Sequence, residues 1–133
     1  MQQAVVRGAL QPDISVGIVW ISMLPFDNAL TARLMARTMK APCVRHFHDP
    51  GKQVGKIIAQ SLGAPGKVAW DIYLFYPQGI KWDDSLPLPA VWAHQLGTNG
   101  WADPARYYRG DGLVEELGRA MEQLTGAGNA ASR

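Results

Sequence analysis

The chain has one cysteine, Cys43. A single thiol excludes an internal disulfide framework and a metal site built from several cysteines. No apolar run approaches the roughly 20 residues of a membrane-spanning helix. The first residues, Met1-Gln2-Gln3-Ala4-Val5-Val6-Arg7, lack the basic start and long apolar stretch of a signal peptide. A reducing cytoplasm is therefore the expected setting. An excess of one charge is missing too: 13 Lys and Arg face 11 Asp and Glu, for a net charge of +2. The basic residues are scattered, so neither nucleic acid nor an anionic membrane surface is an expected partner. No Gly-rich phosphate loop, Walker sequence or Ser/His/Asp set appears, and no cofactor is implied.

What is present fits an ordinary folded domain. The 133 residues are 47% hydrophobic and 18% charged, enough for one domain with a sizeable core. Residues 1–125 are expected to form that domain. Residues 126–133 are small and rich in Gly and Ala, and read as a flexible tail.

Residues 16–23, Val-Gly-Ile-Val-Trp-Ile-Ser-Met, organise the rest. An apolar, β-branched run without alternation suits a strand covered on both faces. Before it, residues 2–10 read as a short helix broken by Gln11-Pro12-Asp13. After it, Leu24-Pro25-Phe26-Asp27 turns into a helix capped by Asp27 or Asn28. That helix has Leu30, Leu34, Met35 and Met39 near one face and ends at Ala41-Pro42.

Residues 43–48 read as a second strand, with Val44, His46 and His48 on one face. Asp49 and Pro50 then read as the cap and first residue of a helix carrying Val54, Ile57, Ile58 and Leu62, stopped at Gly63. Residues 69–76 form a third strand. Pro77-Gln78-Gly79 turns it into an antiparallel partner at residues 80–82. Residues 90–96 read as a short helix. Asp103-Pro104 opens another at residues 105–108. The last helix follows Asp111, with Leu113, Val114, Leu117, Ala120, Met121 and Leu124 as its apolar stripe.

A βαβ unit followed by a hairpin and a closing helix is the minimal thioredoxin-like order. Three stretches resemble peroxiredoxins and membrane-anchored thiol–disulfide reductases: Val19-Trp20-Ile21-Ser22-Met23, the Asp49-Pro50-led helix, and Trp70-Asp71-Ile72-Tyr73-Leu74-Phe75-Tyr76-Pro77-Gln78-Gly79-Ile80. The resemblance covers roughly residues 16–82 and implies an α/β three-layer sandwich with a central mixed sheet of about four strands. The expected strand order is 44–48, 16–23, 72–76, 80–82. Two features of those families are absent. The loop at residues 23–28 carries no cysteine, and Trp70 stands where they place a cis-proline. A second alignment puts their cysteine-bearing strand upstream of Met1. An exposed strand edge on residues 16–23 would then be closed by residues 72–76 or by a homodimer.

The candidate residues are few. Arg45 would point the same way as Cys43 and would favour its thiolate; the plainer reading of Cys43 is a small apolar residue. His46 and His48 share a strand face, a spacing that suits Zn²⁺ or Cu²⁺ with Asp49 or His94 as further ligands. Two histidines at that spacing also occur without metal. Asp83 and Asp84 point opposite ways along an extended segment and read as a solvated loop.

The five tryptophans stand out. Trp20, Trp70, Trp92 and Trp101 suit a binding surface as aromatics with polar tips, and the thioredoxin resemblance implies that the loop at residues 23–28, with Pro25, Phe26 and Asp27, and the insertion at residues 87–101, with His94, lie near the usual binding end. Together they are the expected binding set. The tryptophans equally suit the cover of a small core. Three functions remain open: a non-catalytic thioredoxin-like module binding a protein or small ligand, a reductase or peroxidase using Cys43, and a metal-binding protein using His46 and His48.

Overall fold

The apolar run pairs in parallel with the histidine strand, Val16 opposite Val44, Trp20 opposite His48 and Ile21 opposite Asp49. The computed structural model describes residues 14–26, 28–83 and 85–131. Their elements run β1 (Val16–Ile21), α1 (Ala29–Ala36), β2 (Val44–Asp49), α2 (Gln53–Ser61), β3 (Ile72–Phe75), β4 (Val91–His94), a 3₁₀ turn (Pro104–Arg106) and α3 (Gly110–Ala131). The helices expected at residues 2–10 and the caps or loops assigned to Asp27 and Asp84 lie outside the described residues.

The chain is mixed α/β, but the described strands form two sheets of two strands, β1–β2 and β3–β4. The expected four-stranded order is corrected. β1 bonds to β2 alone and does not pair with β3. Each strand pair completes its own ladder, and the two share helix α2 in place of backbone hydrogen bonds. On one side Ile21 approaches Gly55 of α2. On the other, Ile72 and Leu74 of β3 pack against a buried cluster that includes Ile58 and Ala59 of the same helix.

The partner of β3 is also corrected. β4 is antiparallel to β3, with Ile72 opposite His94 and Phe75 opposite Val91. The segment read as a short helix is therefore the strand, and residues 80–82 lie outside any strand. The reason is burial. Ala93 and His94 are fully enclosed, whereas Ile80, Lys81 and Trp82 are all exposed and would bring the sheet nothing to cover. Seven residues are too few for periodicity to separate helix from strand.

β3 and β4 lie between two helices. Ile72 and Leu74 face α2. Tyr73 and Phe75, on the opposite face as the period of two demands, pack with Ala93 against Leu113 and Leu117 of α3. That helix buries Leu113, Leu117 and Ala120 as its stripe requires, while Val114 is exposed. It continues to Ala131 through the stretch read as a tail.

The apolar residues expected near one face of α1 are largely exposed. No residue of α1 is buried, and Leu30 and Leu34 are 65% and 50% exposed. The helix stops at Ala36, so buried Met39 lies beyond its end. Of the expected apolar face, Met35 alone borders the cleft beside β1 and β2, with Thr31 and Ala32. Asn28 caps it in a capping box, its side chain accepting the Leu30 and Thr31 N–H groups while Thr31 Oγ1 accepts the Asn28 N–H.

Helix α2 starts later than read. Pro50 is not its first residue; a turn intervenes, and Lys52 takes a left-handed conformation before Gln53. Asp49 still caps the helix at longer reach. Its buried carboxylate accepts N–H groups from Gln53 and Val54 at 2.8 Å and from Gly55 at 3.3 Å. Gly63 closes α2 with φ +86°, a left-handed stop that a glycine takes without steric cost.

Candidate functional site

The carboxyl ends of β1 and β2 lie side by side, and the chain leaves β1 there to enter α1. In parallel units this end is where ligands settle, outside the strand termini. An open cleft of about 230 Å³ occupies it. Trp20, Ser22 and His48 line it from the strand ends, and Thr31, Ala32 and Met35 from α1. Ile21 and Asn28 complete the lining. None of these described lining residues is acidic, lysine or arginine.

Strand alternation explains the set. Ile18, Trp20 and Ser22 fall on one face of β1, and Val44, His46 and His48 on the matching face of β2. At its end, Ser22 Oγ and His48 Nε2 stand 3.1 Å apart. One step inward, the Trp20 indole N–H donates to His46 Nδ1 at 3.1 Å, and the two rings stack at 13°. Since Nδ1 accepts, Nε2 carries the proton and donates to the Met39 carbonyl at 3.0 Å. Both nitrogens of His46 are committed to the protein. His48 alone of the pair turns a ring nitrogen toward the cleft.

The metal expectation is thus placed but not assembled. His46 and His48 share a face, yet His46 has no lone pair to give. The Asp49 carboxylate is spent on α2, and His94 belongs to the other sheet. Among the described residues no group of three His, Cys, Asp or Glu side chains could hold a metal ion.

Cys43 is half-buried at the amino end of β2. Five residue steps separate it from His48, about 16 Å along an extended chain. Arg45 is exposed.

The expected binding set divides. Trp20 lines the cleft. Pro25 and Phe26 lie in the connection leading to α1, and Phe26 is 82% exposed. Asp27 falls outside the described residues. Trp70 is exposed at the approach to β3. Trp92, His94 and Trp101 serve the second sheet. The Arg106 guanidinium lies 4.9 Å over the Trp92 ring, and Trp101 packs into the α2 core. His94 is fully buried: its Nδ1 accepts the Leu96 N–H at 3.2 Å, and Nε2 bonds the Asp103 carbonyl at 2.8 Å.

Sequence reasoning passed over Ser22 and Thr31 as site residues, and reached Asn28 only as a helix cap and the end of the loop at residues 23–28. Ser22 carried a usable signal. It is the one hydroxyl in an otherwise apolar strand run, placed where that strand ends beside His48. Compared with protein-family models, curated proteins and solved structures, the chain shows no match.

Proposed function

We propose that this chain is a non-catalytic binding module with a thioredoxin-like order of elements, and that its ligand is a small molecule held in the cleft between β1, β2 and α1. The order β-α-β-α-β-β-α supports the first part. The observation that carries the second is the cleft itself, with an indole and a thioether on its walls and a Ser–His pair at its polar end. Ligand pockets combine an apolar lining with a few convergent polar groups. Its volume lies below the roughly 300–1,000 Å³ usual for drug-sized ligands, which favours one ring or a short chain. The Cys43 thiol lies at the opposite end of the same sheet and has no part in this reading.

The test is a screen of single-ring and short-chain compounds by amide chemical-shift mapping. Shifts should concentrate on residues 20–22, 28–35 and 48. Binders that shift only the β3–β4 side, or no binder at millimolar concentration, would defeat the reading.

A further inference from the structure

We infer that the cleft selects a carbonyl or carboxylate oxygen on a small apolar body. This deepens the reading just given and rests on it. The polar atoms lining the cleft can be followed one at a time. Asn28 Oδ1 is fixed by the two backbone N–H groups it accepts, from Leu30 at 2.9 Å and Thr31 at 3.1 Å. That assigns the amide orientation from its hydrogen bonds. The group left over on Asn28 is its NH₂, a pure donor.

Thr31 Oγ1 accepts the Asn28 N–H at 3.0 Å and donates to the Asn28 carbonyl at 2.9 Å, with the Phe26 carbonyl at 3.3 Å sharing that proton. It has little left for a ligand. What remains is the Ser22–His48 pair. When His48 Nε2 carries its proton it donates to Ser22 Oγ, and the hydroxyl proton is released toward the cleft. Hydrogen bonds chained in this way strengthen one another. Two donors, the Ser22 hydroxyl and the Asn28 amide, then border a cleft whose lining has no carboxylate among the described residues. Its other walls, Trp20, Ala32 and Met35, are apolar. An oxygen acceptor satisfies both donors. An ammonium or other donor offers neither of them an acceptor.

Three probes of one size separate the possibilities: benzoate, benzamide and benzylamine, each titrated into the full chain and followed by amide shifts at Ser22, Asn28 and His48. Benzoate and benzamide should bind in the cleft, and benzylamine should not. The order of the first two tells a carboxylate preference from a neutral carbonyl preference. Ser22→Ala should weaken the better binder about three- to tenfold, the worth of one hydrogen bond. Asn28→Asp keeps the helix cap, because Asp caps as well as Asn, but replaces the NH₂ donor with an acceptor. It should weaken benzoate most. Benzylamine binding as tightly as benzoate overturns the ligand class and leaves the cleft as a site. Unchanged affinity in both variants overturns the class as well. No cleft shifts with any of the three overturns the class and the proposed function together.

Discussion

The Gly55 carbonyl accepts the Ala69 N–H at 2.8 Å, and a Cβ built on Gly55 would stand 2.9 Å from the Ala69 carbonyl oxygen. The same Cβ would meet Val68 Cγ1 at 2.7 Å and Ile21 Cδ1 at 3.1 Å. Helix α2 therefore touches backbone ahead of β3 and a side chain of β1 at one point. A glycine inside a helix is destabilising by roughly 0.5–1 kcal/mol relative to alanine. Here the close approach requires it.

Gly55→Ala should accordingly destabilise the domain by about 1–3 kcal/mol, the usual cost of overpacking. Gly118 makes the control. It too lies inside a helix, but a Cβ there meets nothing within 4 Å. Gly118→Ala should stabilise by up to about 1 kcal/mol through helix propensity. Urea melts of both variants check the opposite signs. Two shifts of the same sign would show that the contact at Gly55 does not control the packing.

The legible parts of the chain were those with a local physical signature. The strands β1 and β2, the reach of Asp49 into the next helix and the stop at Gly63 each follow from residues close in sequence. The stripe Leu113, Leu117, Ala120 was legible because α3 is long. What failed depended on partners distant in sequence. The choice of residues 91–94 over 80–82 as the mate of β3 turns on what α3 covers, and no local pattern carries that. The outward turn of Leu30 and Leu34 was hidden for a related reason: an apolar stripe tells which side of a helix is greasy, not whether a partner lies against it. The cleft was half legible. Trp20 and His48 were singled out, but Ser22 joins them only through the register of two strands.

Tyr76 offers a test of polar burial. Its hydroxyl is buried with no hydrogen-bond partner among the described residues, and burial raises its pKa above the ordinary 10.0. Its ring packs edge-on against Trp82 at 5.6 Å. Tyr76→Phe keeps the ring and removes an unsatisfied oxygen. Such a group costs about 1–3 kcal/mol, so the variant should be as stable as the parent or more so by thermal melt. A loss above 1 kcal/mol (about a fivefold shift in the folding equilibrium) would mean the hydroxyl is satisfied.

Tyr73 behaves differently. Burial, and then the Asp71 charge, push its pKa up to about 12, and its hydroxyl donates to Gln95 Oε1 at 3.0 Å. An absorbance titration should show a late tyrosine step, and Tyr73→Phe should delete it. The folded value lies above the unfolded 10.0. This contribution to stability is therefore intact below pH 10 and is lost as pH rises toward 12. A parent and a Tyr73→Phe variant with the same alkaline unfolding profile would contradict it.

Asp71 carries the acid counterpart. Desolvation raises its carboxyl above the ordinary 3.8. The folded state holds the proton more firmly, so this contribution is full below pH 3.8 and lost as pH rises through the folded value. Asp71 also sits at φ +50°, a left-handed conformation that Asn tolerates well. Asp71→Asn should thus be more stable than the parent at pH 7, with the difference vanishing as pH falls toward 3. The Tyr73 hydroxyl should ionise somewhat earlier in the same variant. A stability gain that persisted unchanged at pH 3 would assign it to backbone conformation rather than charge.

Asp49 joins the end of the cleft sheet to the start of α2, and the three N–H groups it accepts belong to the first turn of that helix. Those donors have no partner within the helix. Lys52, at the cap position proper, offers no side-chain bond of its own, so Asp49 is their one side-chain acceptor among the described residues. Removing a cap typically costs about 0.5–2 kcal/mol, and bonds to a charged acceptor lie nearer 1.5–3 kcal/mol each. Asp49→Ala should therefore lower stability by about 2–3 kcal/mol. Asp49→Asn retains one acceptor oxygen and should fall between the two. Hydrogen exchange supplies the local signature: the amides of Gln53, Val54 and Gly55 should lose protection in Asp49→Ala before those of α3 do. Uniform loss across both helices would show that Asp49 acts on the whole fold and not as the cap of α2.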